Sequence, residues 1–205
     1  TGLSTPLVTC ITDISIHPEW KADQTDLYLA PTREIKEHLI CEGTKAENIL
    51  VTGIPVRQQF LNMDRNHLEN EKEVRKVLIM GGGLGLMPDL RRLLGKLHSM
   101  QSVHTIVITG KNHKMYEEWV NRYEDVKVLG YTENISKYMR WADLVITKAG
   151  GITLFEILHS QVPLFVIHPF LEQEMNNARY AAEKGFAKVV WVKHEDYISE
   201  LEKLL

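Results

Sequence analysis

Two glycine-rich segments contain the residue types that bind an anion through the protein backbone. Gly150 and Gly151 follow the apolar residues 144–146, and a second cluster at 81–85 follows the apolar residues 77–80. Glycines between a strand and a helix let backbone N–H groups turn toward a bound anion. If the two strands are neighbours in a parallel sheet, we expect the two loops to hold one diphosphate between them.

The first glycine cluster does not match the dinucleotide-binding fingerprint. That fingerprint requires glycine at position 86, where this sequence has Leu86, and no lysine follows in the pattern of a P-loop. Two interpretations of residues 81–85 therefore stay open: an anion-binding loop, or simply a tight turn between a strand and a helix.

Glu156 follows the glycine pair and also has two interpretations. Its carboxylate could accept hydrogen bonds from the ribose hydroxyls of a nucleotide, because the glycines let a ligand approach this end of the helix. Alternatively, Thr153 and Glu156 have the spacing of a capping box, in which each side chain satisfies a backbone N–H at the helix start.

Polar side chains also follow the apolar segment 164–167. Gln173, Glu174 and Asn177 lie beyond the carboxyl end of this predicted strand, where open α/β sheets bind ligands. Their amides and carboxylate suit the hydroxyls of a sugar. The alternative is the ordinary polarity of a helix start.

Asp13 and His17 follow the first predicted strand and could remove a proton from an acceptor hydroxyl. An aspartate-capped turn with a surface histidine is the alternative. No third ligand has recognisable metal-binding spacing, so we expect no metal site.

Apolar runs alternate with amphipathic segments along the chain, which predicts an α/β fold with a parallel sheet covered by helices on both faces. The polar segment 62–76 predicts a linker between a first domain at 1–61 and a second at 77–205. The predicted strands are 6–12, 26–30, 48–52, 77–80, 105–109, 126–129, 143–147, 164–167 and 187–192.

Composition excludes several classes of function. The net charge of −3 gives no electrostatic argument for nucleic-acid binding. Two cysteines cannot form a disulfide framework, which indicates a reducing compartment. No apolar run approaches the roughly 20 residues of a spanning helix.

Because the chain starts at Thr1 and soon enters a strand, we expect that an N-terminal part is missing.

These segments together resemble the group of monogalactosyldiacylglycerol synthases and processive diacylglycerol glucosyltransferases. That group shares a glycosyltransferase family with the peptidoglycan enzyme that makes lipid II. The matching stretches keep the family order and cover most of the chain: Thr12-Asp13 with His17 and Trp20, 53–57 with Phe60, 81–85, 147–153 with Glu156, and Gln173-Glu174 with Asn177.

The resemblance implies a GT-B fold, in which two Rossmann-like domains face each other across a cleft, with the first domain incomplete in this chain. It implies that Glu156 holds the ribose of a UDP-sugar, that the loop at Tyr131 holds the uracil, and that the glycine loops hold the diphosphate. The residues implied in UDP-sugar binding are Gly82, Gly83, Gly85, Tyr131, Lys148, Gly150, Gly151, Thr153, Glu156, Gln173, Glu174 and Asn177.

The implied reaction transfers galactose or glucose from a UDP-sugar to diacylglycerol with inversion, without a metal or other cofactor. Asp13 would be the base, with His17 as partner or alternative, and we expect this chain alone to be inactive. A lipid acceptor implies a cytoplasmic protein in peripheral contact with the inner face of the cell membrane. The alternatives are a lipid II-type N-acetylglucosaminyltransferase, a UDP-sugar epimerase, or a non-catalytic UDP-sugar sensor or subunit of a split transferase.

Overall fold

The computed structural model describes residues 5–17, 24–61, 74–100, 102–192 and 196–205. Most of the predicted linker, residues 62–73, lies outside these ranges, as does Trp20 of the resemblance. The described chain contains two parallel sheets, one of three strands and one of six.

The larger sheet has the strand order of a Rossmann domain. Its strands are β4 (Arg75–Met80), β5 (Val103–Ile108), β6 (Val126–Leu129), β7 (Leu144–Thr147), β8 (Leu164–Ile167) and β9 (Ala187–Val190). They are ordered β6-β5-β4-β7-β8-β9, and every pair is parallel. The order reverses between β4 and β7, which creates the crevice where such sheets bind ligands.

Helices cover both faces of this sheet, as the uniformly apolar strands require. The helices are α2 (Leu90–His98), α3 (His113–Trp119), α4 (Ile135–Trp141), α5 (Gly151–His159), α6 (Glu172–Glu183) and α7 (Ile198–Glu202). Along β4, Val77 and Ile79 pack with α2, α3 and α7, whereas Leu78 and Met80 pack with α4, α5 and α6. The predicted α/β class is therefore confirmed.

The smaller sheet contains β1 (Val8–Cys10), β2 (Leu27–Ala30) and β3 (Ile49–Val51) in that order. Helix α1 (Arg33–Cys41) covers it, and the Thr32 hydroxyl caps this helix by accepting a hydrogen bond from the Ile35 N–H at 3.3 Å. The strand predicted at 6–12 is shorter in the structure, Val8–Cys10, and it is not buried. Val8 is 50% exposed, because β1 is the edge strand of this sheet.

Several element boundaries differ from the sequence prediction. Helix α2 begins only at Leu90, because Asp89 takes a left-handed conformation with φ 53°. Strand β4 begins two residues early, at Arg75, and α6 begins at Glu172, which places Gln173 inside its first turn. Phe60, predicted to belong to the first domain, packs in the core of the larger sheet.

None of the helices in the described residues combines the length and the apolar character needed to span a bilayer.

The first glycine loop is pressed against the end of β5. Gly85 has φ 62°, and a Cβ atom there would overlap the Thr109 carbonyl oxygen. The Lys111 N–H donates to the Gly83 carbonyl at 3.0 Å, so the two loops are also joined by a backbone hydrogen bond. Glycine is required at position 85 both by its backbone angle and by this close approach.

We expect Gly85→Ala to lower the free energy of unfolding by about 1–3 kcal/mol, because the new methyl group forces the two loops apart. Gly83→Ala in the same loop is the matched control, since a Cβ atom at Gly83 would meet nothing within 4 Å. Urea unfolding of both variants measures the difference. Equal destabilisation would show that the contact with Thr109 does not hold the loop.

Candidate functional site

The two glycine loops lie side by side, as predicted. β4 and β7 are hydrogen-bonded neighbours with Met80 opposite Thr147, so the loops that follow them leave the same edge of the sheet. The Thr147 hydroxyl donates to the Met80 carbonyl at 2.6 Å and ties the two strand ends together. Gly150 is the N-cap of α5, so the first N–H groups of that helix also open onto this edge.

A cavity of about 180 Å³ opens beside these loops and collects residues from distant parts of the chain. Five of the predicted site residues line it: Gly82, Gly83, Tyr131, Thr153 and Glu156. Ile108 and Ile135 form apolar walls, and Tyr131 lies at the surface with 61% of its area exposed. We call this the switch-point cavity. Its mixture of apolar walls and a few polar groups is typical of a ligand site.

Glu156 is buried at this cavity and forms a bidentate ion pair. Its two carboxylate oxygens accept hydrogen bonds from Nε and Nη2 of Arg57 at 2.7 and 2.9 Å. The capping-box interpretation is wrong. Helix α5 begins at Gly151 with Gly150 as its N-cap, so Thr153 already lies within the first turn, and α5 has no side-chain cap.

Arg57 is a site residue that the sequence prediction did not select. It lines the switch-point cavity, and its hydrogen bonds to Glu156 raise its pKa above the ordinary value. The only signal in the sequence was its place at the end of the matching stretch 53–57. The contact itself joins residues 99 positions apart, which no local pattern indicates.

Lys148 and Glu174 form a second ion pair at the same edge of the sheet. Their charged atoms are 2.7 Å apart, and both side chains are largely buried. The Lys148 ammonium also lies 5.0 Å from the centre of the Phe170 ring, within the range of a cation–π contact. The pair places one positive and one negative group beside the start of α6, where sugar recognition was predicted.

Asn177 joins the two sheets. Its side-chain oxygen accepts from the Ile14 N–H at 2.8 Å, and its amide nitrogen donates to Asp13 Oδ1 at 2.7 Å and to the Ala149 carbonyl at 2.9 Å. The side chain is completely buried. This amide therefore holds the predicted base beside the glycine pair, whereas the predicted contact between Asn177 and the sugar stays a prediction.

Gly151 permits the close approach of the first sheet. A Cβ atom there would overlap the Thr12 carbonyl oxygen and lie 2.7 Å from Asp13 Oδ1. The glycine is needed because another chain segment passes against the first residue of α5.

The remaining predicted site residues are less closely associated with the cavity. Gly85 faces Thr109, and His17 is exposed at the end of its described segment. Gln173 is partly buried in the first turn of α6. Across the described ranges, no three His, Cys, Asp or Glu side chains are arranged to hold a metal ion.

A site at the reversal point of a six-stranded parallel sheet defines a Rossmann-type ligand-binding domain, and the second sheet docked against it makes the fold that of a GT-B protein. Two crystal structures share this fold. MurG of Acinetobacter baumannii has a TM-score of 0.66 at 16% identity, over 98% of this chain and 58% of MurG. A UDP-N-acetylglucosamine 2-epimerase has a TM-score of 0.60 at 19% identity, over 88% of this chain and 49% of that protein.

Family models account for most of the sequence. The glycosyltransferase family 28 C-terminal domain matches residues 76–205, and the monogalactosyldiacylglycerol synthase model matches residues 2–56. The chain therefore belongs to glycosyltransferase family 28, and the resemblance drawn from its motifs is confirmed.

Curated relatives agree with the family models. The processive diacylglycerol beta-glucosyltransferase of Bacillus cereus (strain G9842) is 34% identical over 220 aligned residues, covering all of this chain and 57% of the relative. That of Bacillus cytotoxicus is 35% identical over 199 residues, covering 93% of this chain and 51% of the relative. The chain thus spans little more than half the length of these proteins.

The ion pair between Arg57 and Glu156 can be tested by a double-mutant cycle. We expect Arg57→Met to lower the free energy of unfolding by about 1–3 kcal/mol, because it leaves a buried carboxylate without a partner. Adding Glu156→Gln should recover much of this loss. Urea unfolding of the two single variants and the double variant measures the coupling. Additive effects, within about 0.5 kcal/mol, would show that the two groups are independent.

Proposed function

We propose that this chain supplies the UDP-sugar-binding half of a glycosyltransferase that moves a hexose to diacylglycerol with inversion. The observation that carries the proposal is the switch-point cavity, where the first glycine loop meets Tyr131 and two residues of α5, Thr153 and Glu156. The names of the curated relatives support a lipid acceptor. Such an acceptor would bring the protein to the inner face of the cell membrane as a peripheral protein.

The nucleoside would occupy the switch-point cavity. Glu156 can accept hydrogen bonds from the ribose hydroxyls through the lone pairs that Arg57 leaves unused, because each carboxylate oxygen can accept more than one hydrogen bond. We expect the exposed ring of Tyr131 to cover the base. Arg57 also brings a positive charge to the same cavity, which suits the diphosphate that must follow the ribose.

The diphosphate would lie between the two glycine loops, at the start of α5. Negative charge grows on UDP as it leaves, and helix N-termini and backbone N–H groups stabilise such charge without a metal ion. We expect the transferred sugar to lie beyond the diphosphate, near Gln173 and the ion pair of Lys148 with Glu174. Their polar groups can bind sugar hydroxyls.

Transfer would proceed by a single displacement. The acceptor hydroxyl oxygen bonds to the anomeric carbon, the bond from that carbon to the UDP oxygen breaks, and the hydroxyl proton passes to Asp13. The Asn177 amide holds Asp13 Oδ1, which leaves Oδ2 to receive the proton. His17 is the alternative base. In the complete transferase, an Asp13→Asn variant that transferred sugar at an unchanged rate would contradict the role given to Asp13.

Nucleotide titration tests the proposal directly. We expect UDP to bind more tightly than GDP or ADP. Glu156→Gln should weaken UDP binding by about tenfold or more, because an amide is a poorer acceptor for the ribose hydroxyls than a carboxylate. Isothermal titration calorimetry measures both effects.

Glu117→Gln is the matched control, since Glu117 is exposed on α3 outside the switch-point cavity. We expect it to bind UDP as tightly as the unchanged chain does. A folded Glu156→Gln variant with unaltered affinity for UDP would show that Glu156 does not bind the nucleotide.

A further inference from the structure

A second cavity, of about 460 Å³, opens at the same edge of the larger sheet and is lined mainly by apolar side chains. It lies beside the loop that leads into α2 and does not share the residues of the switch-point cavity. We call it the apolar pocket. Its lining residues are Leu86, Met87, Pro88, Lys148, His168, Pro169, Phe170 and Trp191.

Exposed apolar side chains surround the mouth of the apolar pocket. Phe170 is 64% exposed and Trp191 is 41% exposed, although both line the pocket. Leu86, which also lines the pocket, is 50% exposed. We call these three side chains the apolar rim. Clustered exposed apolar groups on a soluble domain mark a surface that contacts another molecule or a membrane.

His168 presents a buried polar group to the apolar pocket. It is 8% exposed, and within the described residues neither ring nitrogen has a hydrogen-bond partner. The Asp89 carboxylate lies 3.9 Å from Nδ1, beyond hydrogen-bond distance. The backbone of His168 is left-handed, with φ 46°. A buried imidazole without a partner and a strained backbone are both unusual, and both occur at ligand sites.

The chemistry of the lining limits the ligand. Six of the eight lining residues offer carbon surface, and only Lys148 and His168 are charged or strongly polar. A hexose in this pocket would leave several hydroxyls without partners, at a cost of about 1–3 kcal/mol each. A lipid with long apolar chains and one or two hydrogen-bonding groups matches the lining.

We propose that the apolar pocket binds the glyceride part of a membrane lipid and that the apolar rim enters the bilayer surface that supplies it. The inference deepens the proposed function and rests on its lipid acceptor. An ester carbonyl oxygen of the glyceride accepts a hydrogen bond from His168, which leaves the free hydroxyl for transfer, and the acyl chains pack on Phe170 and Trp191. Tryptophan and phenylalanine are favoured at the boundary between lipid headgroups and acyl chains.

Lys148 connects this pocket with the proposed sugar site. Its ammonium packs on the Phe170 ring in the apolar pocket and pairs with Glu174 at the start of α6. It is also separated from the glycine pair by a single residue, Ala149. A lipid in the apolar pocket therefore lies next to the place where the donor sugar is expected, as an acceptor must.

Tryptophan fluorescence in vesicles tests the proposal. Phosphatidylcholine vesicles containing diacylglycerol and bromine-labelled acyl chains should quench the emission of the chain, because bromine quenches only tryptophans that reach the acyl region. We expect Trp191→Phe, made in a Trp20→Phe background, to abolish this quenching, and Trp119→Phe in the same background to keep it, since Trp119 is buried in the core. Quenching that survives Trp191→Phe would overturn the proposal.

Two exposed phenylalanines at opposite edges of the larger sheet provide a matched pair. Phe170 follows β8 and lines the apolar pocket with Trp191. Phe170→Ser should weaken vesicle binding by about tenfold or more, since burial of an aromatic side chain is lost. Phe186 is 46% exposed just before β9, and Phe186→Ser should leave vesicle binding unchanged. Equal weakening by both substitutions would also overturn the proposal.

UDP binding by the same variants separates the two proposals. We expect Phe170→Ser to bind UDP as the unchanged chain does, which also shows that it is folded. Vesicle binding without UDP binding would contradict the proposed function and leave the lipid surface standing. UDP binding without vesicle binding would contradict the lipid surface alone.

Discussion

The parallel pairing of β4 with β7 is the constraint on which the site depends. It turns two loops that are about 65 residues apart in the chain into neighbours, and it places them where the strand order reverses. Two ion pairs complete this edge of the sheet. Arg57 and Glu156 line the switch-point cavity, whereas Lys148, which pairs with Glu174, lines the apolar pocket.

Each buried carboxylate at the site is paired with a cationic side chain. The two buried carboxylates, Glu156 and Glu174, each have a cationic partner at 2.7 Å, which offsets part of the cost of removing them from water. Both ion pairs remain accessible from a cavity or from solvent, because Arg57 is about half exposed and Lys148 borders the apolar pocket. The carboxylates therefore stay oriented while their cationic partners remain within reach of a ligand.

The strands of the larger sheet could be predicted well, because the apolar runs and glycines that define them are local features of the sequence. Apolar runs marked β6 and β8 with correct bounds, and glycines marked the turns at the site. The contacts that complete the site could not be predicted in this way. Arg57 with Glu156 and Asn177 with Asp13 join residues 99 and 164 positions apart. The exposure of β1 likewise depends on which strands stand beside it, which its own residues do not encode.

The buried amide of Asn177 has a consequence for motion between the sheets. It holds Asp13, the Ile14 backbone and the Ala149 carbonyl together, and Gly151 leaves no gap beside it. Swinging the first sheet away would break the bonds to Asp13 and Ile14 together, since both are made by this one side chain, and water would have to replace them. The position of the first sheet beside α5 is therefore coupled to a single buried amide.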